Sequence, residues 1–178
     1  RQPVINADIN GAPGRRNSWD KSPKRVYPAP LQISGDDTMA LRFMEERIDF
    51  AAAFRWAARL GWQTGICNHF SWMVDDQHIL INPRGLFWSE ITASNLVLLD
   101  GDDNIVEGGD EVEETAFFVH VPTHRMNPAA KIILHAHTPH ATALACIKDG
   151  ELKWCSQDAL KFYGKVVYDR EFNGSVLD

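Results

Sequence analysis

At 178 residues and 44% hydrophobic content, the chain is long enough for one domain with its own apolar core. A net charge of -6 and a pI near 5.6 leave no basic stripe to neutralise phosphates, which excludes nucleic acid as the main partner. No apolar run approaches a membrane-spanning length and the N-terminus has no apolar signal core, so no membrane partner is expected. Three cysteines, Cys67, Cys146 and Cys155, are odd in number and lack C-x-x-C spacing, as expected in a reduced, cytoplasmic environment.

Residues 1–37 carry Gly11, Pro13, Gly14, Pro23, Pro28 and Pro30, a basic cluster (Arg15, Arg16, Lys21, Lys24, Arg25) and little apolar periodicity. They read as an extended arm, one that could cross a neighbouring subunit, and residues 38–178 as the domain. Leu41, Met44, Ile48, Ala51 and Ala52 recur at helical spacing, with Asp37 or Thr38 to cap the start and Gly61 to end the helix. Two short strands follow, from Phe70 to Val74 and from His78 to Asn82, joined by the turn Asp75-Asp76-Gln77. Ser89 to Thr92 suits a short helical segment, and Leu96 to Leu99 is a strand running into an acidic turn at Asp100 to Asn104. Such meandering strands predict antiparallel pairing rather than strict βαβ alternation. Residues 111–126 begin with acids that suit a helix N-terminus, and Pro122 falls where it would shorten or kink that helix. A helix from Ala141 to Ile147, another from Gln157 to Tyr163 and a last strand from Val166 to Tyr168 complete the expected elements.

The most informative stretch is Ile132-Ile133-Leu134-His135-Ala136-His137-Thr138-Pro139-His140. In an extended strand His135 and His137 share a face, so both imidazoles can reach one divalent metal. Elsewhere Cys67 beside His69 is a weak nucleophile candidate, because adjacency in sequence does not make a dyad.

Five phrases, in order, are together distinctive. They are Asn68-His69-Phe70-Ser71, Ile81-Asn82-Pro83-Arg84-Gly85, Glu90 through Leu96, Leu98-Leu99-Asp100 and His135-Ala136-His137-Thr138-Pro139, with Gln157 through Gly164 as a similar tail. From about Met39 onward the chain resembles the class II aldolase/adducin N-terminal domain family, and its adducin-like branch more than the sugar-phosphate aldolases. The resemblance implies a three-layer α/β/α sandwich with a mostly antiparallel central sheet, assembled as a homotetramer. It also implies a divalent metal, zinc first with Mn, Fe or Co as alternatives, bound by three histidines, two of them His135 and His137. The implied chemistry is that of a metal-dependent lyase: an enolate of a small carbonyl, hydroxy or carboxylate substrate is stabilised during retro-aldol cleavage or decarboxylation.

Three departures accompany the resemblance. The family's third histidine lies in a downstream Asn-His-Gly segment, and the sequence reaches Asp178 first, so the C-terminal part of the domain is expected to be missing or supplied by a separate segment. His69, His120, His124 and His140 are substitutes among which spacing does not choose. The family's catalytic carboxylate falls on Ala116, leaving Glu114 as the candidate acid/base after a small shift. Where sugar-phosphate members hold a phosphate with Asn and Thr-Gly, this chain has His69 and Arg84-Gly85, which with Ser71 make up the expected substrate contacts. The alternative function is a non-catalytic oligomerisation module like the head of adducin.

Overall fold

The protein is described by a computed structural model covering residues 41–109, 111–171 and 174. The N-terminal arm and the Asp37 or Thr38 cap lie outside these residues. Helix α1 runs Met44–Arg59. Its buried stripe is Arg47, Phe50, Ala51, Phe54 and Ala57, whereas Met44 and Ile48, expected on the core face, are exposed. Two phenylalanines one turn apart bury more apolar area than Met44 and Ile48 would, and they set the rotation of the helix. Gly61 follows the last turn at φ 71°, a left-handed conformation that a glycine adopts without Cβ strain.

The sheet comprises β1 (His69–Met73), β2 (Ile79–Ile81), β3 (Val97–Leu99), β4 (Ile105–Glu107) and β5 (Ile132–His135). Their order is β4-β3-β2-β1-β5 and every pairing is antiparallel, as the meandering pattern predicts. Period-2 alternation divides the side chains between two apolar clusters. Phe70, Leu80 and Leu98 pack with Phe50, Phe54, Trp88 and Ile91. Met73, Ile79, Ile81, Val97 and Leu99 pack instead with Val112, Ala116 and Val121, around helix α2 (Glu114–Met126).

Pro122 does not end α2, which continues one turn to Met126. The shorter α3 (Pro139–Ala145) and α4 (Gln157–Leu160) lie near their expected places. The expected strand at Val166 to Tyr168 is not formed: this segment pairs with no strand and Val167 is 93% exposed. An apolar run becomes a strand only where a sheet edge receives it. Conversely β4 (Ile105-Val106-Glu107), absent from the expected elements, forms because the Asp100 carboxylate accepts hydrogen bonds from Asp102 and Asn104 N–H and folds the chain back onto β3.

Arg47 is completely buried and locks the start of α1 to the sheet. Its guanidinium donates to the carbonyls of Arg42 (2.8 Å), Ala93 (3.2 Å) and Leu96 (2.7 Å) and to Glu107 Oε2 (3.2 Å). Replacing it removes a donor from each of the three carbonyls, while Glu107 keeps its hydrogen bonds from Arg42. Arg47→Met is therefore expected to destabilise the fold by about 3–5 kcal/mol in urea unfolding. A loss under about 1 kcal/mol would show that water or neighbouring donors replace the guanidinium.

Candidate functional site

The alternation that sends Phe70 into one cluster sends His69 and Ser71 to the opposite face of β1. In the β1–β5 ladder His69 stands directly opposite His135. Their rings stack with centroids 4.4 Å apart and planes inclined by 18°. Over this face lies α2, whose His120 and His124 are one turn apart and fully buried.

These side chains form one continuous hydrogen-bonded run. His69 Nδ1 lies 2.7 Å from His120 Nε2, His120 Nδ1 lies 2.5 Å from Ser71 Oγ, and Ser71 Oγ lies 2.7 Å from His124 Nε2. At the far end His124 Nδ1 donates to the Ala130 carbonyl at 2.8 Å. Burial pushes the His69 imidazole down to about 4, helped by the charge His135 can carry, and pushes His120 down to about 3. Burial also lowers His124 and His135, the latter partly offset by Glu113. At neutral pH the run is uncharged.

The acid nearest the histidines is Glu113, not the expected Glu114. Glu113 caps α2: its Oε2 accepts from Ala116 N–H at 2.9 Å and from the Thr115 hydroxyl. The same oxygen stands 3.8 Å from His69 Nε2. Burial raises this carboxyl, but the hydrogen bonds from Thr115 and Ala116 outweigh it and hold the group below its ordinary range. Glu114 occupies the exposed side of the first turn of α2. Ala116 is buried in the apolar cluster beneath α2.

His135 and His137 approach through their Nε2 atoms to 2.8 Å. The backbone N–H of His137 is held by Asn68 Oδ1 at 3.1 Å, and Asn68 is itself anchored by donating to the Thr64 carbonyl at 2.9 Å. Two imidazole nitrogens bound tetrahedrally to one zinc would stand about 3.3 Å apart, so this pair fits a divalent metal with a small opening of the rings. Among the described residues no group of three His, Cys, Asp or Glu is arranged as a full metal site. Arg84 is exposed and its Nη1 pairs with Glu111 Oε1 at 2.5 Å, while Gly85 turns the loop at φ 83°. Cys67 is exposed and makes no hydrogen bond to His69 among the described residues, so the two make no nucleophilic dyad.

Thus His69, Ser71 and His135 come together, His137 joins through His135, and Glu114 lies apart from them. His120 and His124, which spacing leaves among four possible substitutes, and Glu113 are the further members of the site. The signal was present in the i, i+4 spacing of the two histidines on a helix whose acidic start faces the same way.

Residues 48–177 match the family described as the class II aldolase and adducin N-terminal domain. An adducin-related protein of Schizosaccharomyces pombe is 34% identical over 74% of the chain and 43% of its own length. Alpha-adducin of Rattus norvegicus is 35% identical over 82% of the chain and 20% of its own length. The chain therefore spans less than half of either relative. Among solved structures, an aldolase II superfamily protein from Pseudomonas syringae superposes with a TM-score of 0.69 at 39% identity, over 76% of this chain and 55% of that one. An L-fuculose 1-phosphate aldolase from Glaciozyma antarctica gives 0.63 at 25% identity, over 72% and 55%.

The neutral imidazoles make stability depend on pH with a definite sign. Below about pH 6.5 the unfolded chain takes up protons on its histidines that the folded chain refuses. Stability present above that pH is therefore lost as the pH falls toward the folded values of about 4 for His69 and about 3 for His120. Urea unfolding at pH 7 and pH 4 should differ by a few kcal/mol. Equal stability at the two pH values would contradict the buried neutral run.

Proposed function

The chain belongs to the class II aldolase and adducin N-terminal domain family, and from that premise we propose that it works as a metal-dependent lyase on a small oxygenated substrate, by retro-aldol cleavage or decarboxylation. The observation that carries this reading is the convergence of His135 and His137 at 2.8 Å, on a strand end whose neighbouring imidazoles are kept neutral by burial. A divalent cation bound there, zinc by the donor preference of imidazole with Mn, Fe or Co as alternatives, supplies Lewis-acid polarisation of a carbonyl oxygen.

The remaining roles fall to the chain's own side chains. His69, set by Ser71 through His120, lies beside the pair and orients the substrate. Glu113, an anion held at the start of α2, is the better placed base, and Glu114 on the exposed turn is second. Arg84 and Gly85 suit the outer, anionic end of a substrate, with Glu111 to be displaced from the guanidinium. The three-layer sandwich, a homotetramer, a cytoplasmic location and a third histidine from a further C-terminal segment belong to the same proposal. No helix among the described residues is long and apolar enough to cross a membrane.

A second reading, an assembly module like the adducin head, is favoured by one observation. The position where the family's carboxylate is expected is Ala116, and it is packed into the core. Metal analysis of the purified protein separates the two. The lyase reading expects close to one Zn, Mn, Fe or Co per chain, lost in a His135→Ala, His137→Ala double variant whose circular dichroism is unchanged. A folded, oligomeric protein without metal would leave the assembly module.

A further inference from the structure

The hydrogen-bonded run beneath the site has a direction, and the direction limits what the site can hold. A carbonyl oxygen only accepts, so the Ala130 end requires a proton on His124 Nδ1. A neutral His124 then presents a bare Nε2, which takes the Ser71 hydroxyl proton. The Ser71 oxygen is left to accept, so His120 carries its proton on Nδ1 and a lone pair on Nε2. His69 must donate to that lone pair through Nδ1, and its own Nε2 is left without a proton. One backbone carbonyl thus sets the tautomers of three histidines in series. Since a carbonyl cannot take up a proton, the run ends there and acts as a lock.

The surroundings of His69 Nε2 agree. Its nearest charged neighbour is Glu113 Oε2 at 3.8 Å, beyond hydrogen-bond range. A protonated Nε2 facing a carboxylate would be expected to close to about 2.8 Å. Two acceptors facing one another across this gap are complementary to a group that brings its own proton.

Resting on the lyase reading, we propose that His69 Nε2 and the Glu113 carboxylate together receive a hydroxyl group of the substrate as hydrogen-bond acceptors, and that this subsite rejects phosphate and carboxylate oxygens. Ser71, His120 and His124 are positioning residues in this scheme. An anion here would meet a second anion in Glu113 and a lone pair in His69, with no donor from either. The substrate would therefore carry a hydroxyl at this end, and any anionic group it has would lie elsewhere, as near Arg84.

The test is two-bond 1H–15N correlation of the imidazoles in the as-purified protein at neutral pH, with hydroxyacetone, inorganic phosphate and malonate as probes. His69, His120 and His124 are expected to be Nδ1–H, and hydroxyacetone should shift the His69 Nε2 resonance saturably while the two anions leave it in place. Ser71→Ala should turn His69 into a mixture of Nδ1–H and Nε2–H forms, a change that loss of packing alone would not produce. A proton on His69 Nε2 in the free protein, a response to phosphate or malonate, or no response to hydroxyacetone would each overturn the proposal. Metal-loaded protein with His69 in the Nε2–H form would keep the lyase reading and lose this one. Metal-free protein with the Nδ1–H series intact and the hydroxyacetone response present would do the reverse.

Discussion

Burying imidazoles between a sheet and a helix obliges the ring nitrogens held inside to find partners, and this obligation shapes the site more than any single residue does. An unsatisfied buried polar atom costs about 1–3 kcal/mol, so a cluster of His69, His120 and His124 is tolerable only because five of its six ring nitrogens are hydrogen-bonded and the sixth, His69 Nε2, faces the Glu113 carboxylate at the mouth of the run. Ser71 makes that possible by both donating and accepting within one hydroxyl. The loop after α2 completes it by turning the Ala130 carbonyl toward His124. The geometry above the sheet is then inherited: His69 cannot rotate without breaking its bond to His120, and the ring stacked on it, His135, shares that restraint.

The two faces of β1 divide the labour. Phe70 packs with Phe54 and Trp88, and these aromatic contacts fix the height of the strand against α1. One residue to either side, His69 and Ser71 are carried to the other face at positions set by the same backbone. A one-residue slip in the β1–β5 ladder would exchange the two sets and bury Phe70 among the histidines. Arg47, on the α1 side of the sheet, contributes by tying α1 to Leu96 just before β3 and to Glu107 of β4, which steadies the apolar cluster beneath the strand. Site precision therefore rests on packing at the opposite face of the sheet.

Much of this was legible in the sequence where a local pattern and its tertiary use coincide. The alternation Ile132 to His137 announced a strand ending in two same-face histidines, and the structure brings their Nε2 atoms together. The antiparallel meander followed from turn residues such as Asp75-Asp76-Gln77. What escaped depended on partners distant in sequence. The rotation of α1 was decided by Phe50 and Phe54 meeting Phe70 and Trp72, which outweighed the apolar Met44 and Ile48. Val166 to Tyr168 had strand-like residues but no sheet edge to join. Glu113 and Glu114 are chemically identical in sequence, and only the capping of α2 distinguishes them: the N-cap residue turns its carboxylate back over the first turn, while its successor points outward.

That cap also bears on whether this domain does chemistry or only assembles. A scaffold gains stability from apolar contacts and has no use for histidines whose burial lowers stability in mild acid. Replacing a buried polar network by side chains of similar volume is often neutral or stabilising. Here the polar set is confined to one patch. Beside it, Ile81, Val97, Ala116 and Val121 make an ordinary apolar contact between α2 and the sheet. The same helix therefore has a part that serves packing and a part that serves something else. The apolar part holds Ala116, the position where a carboxylate is expected from the family resemblance, and the polar part begins three residues earlier at Glu113, whose oxygen faces His69. Loss of an acid at one position is then weak ground for inferring loss of activity, because the helix N-terminus supplies an anion to the same patch from its cap.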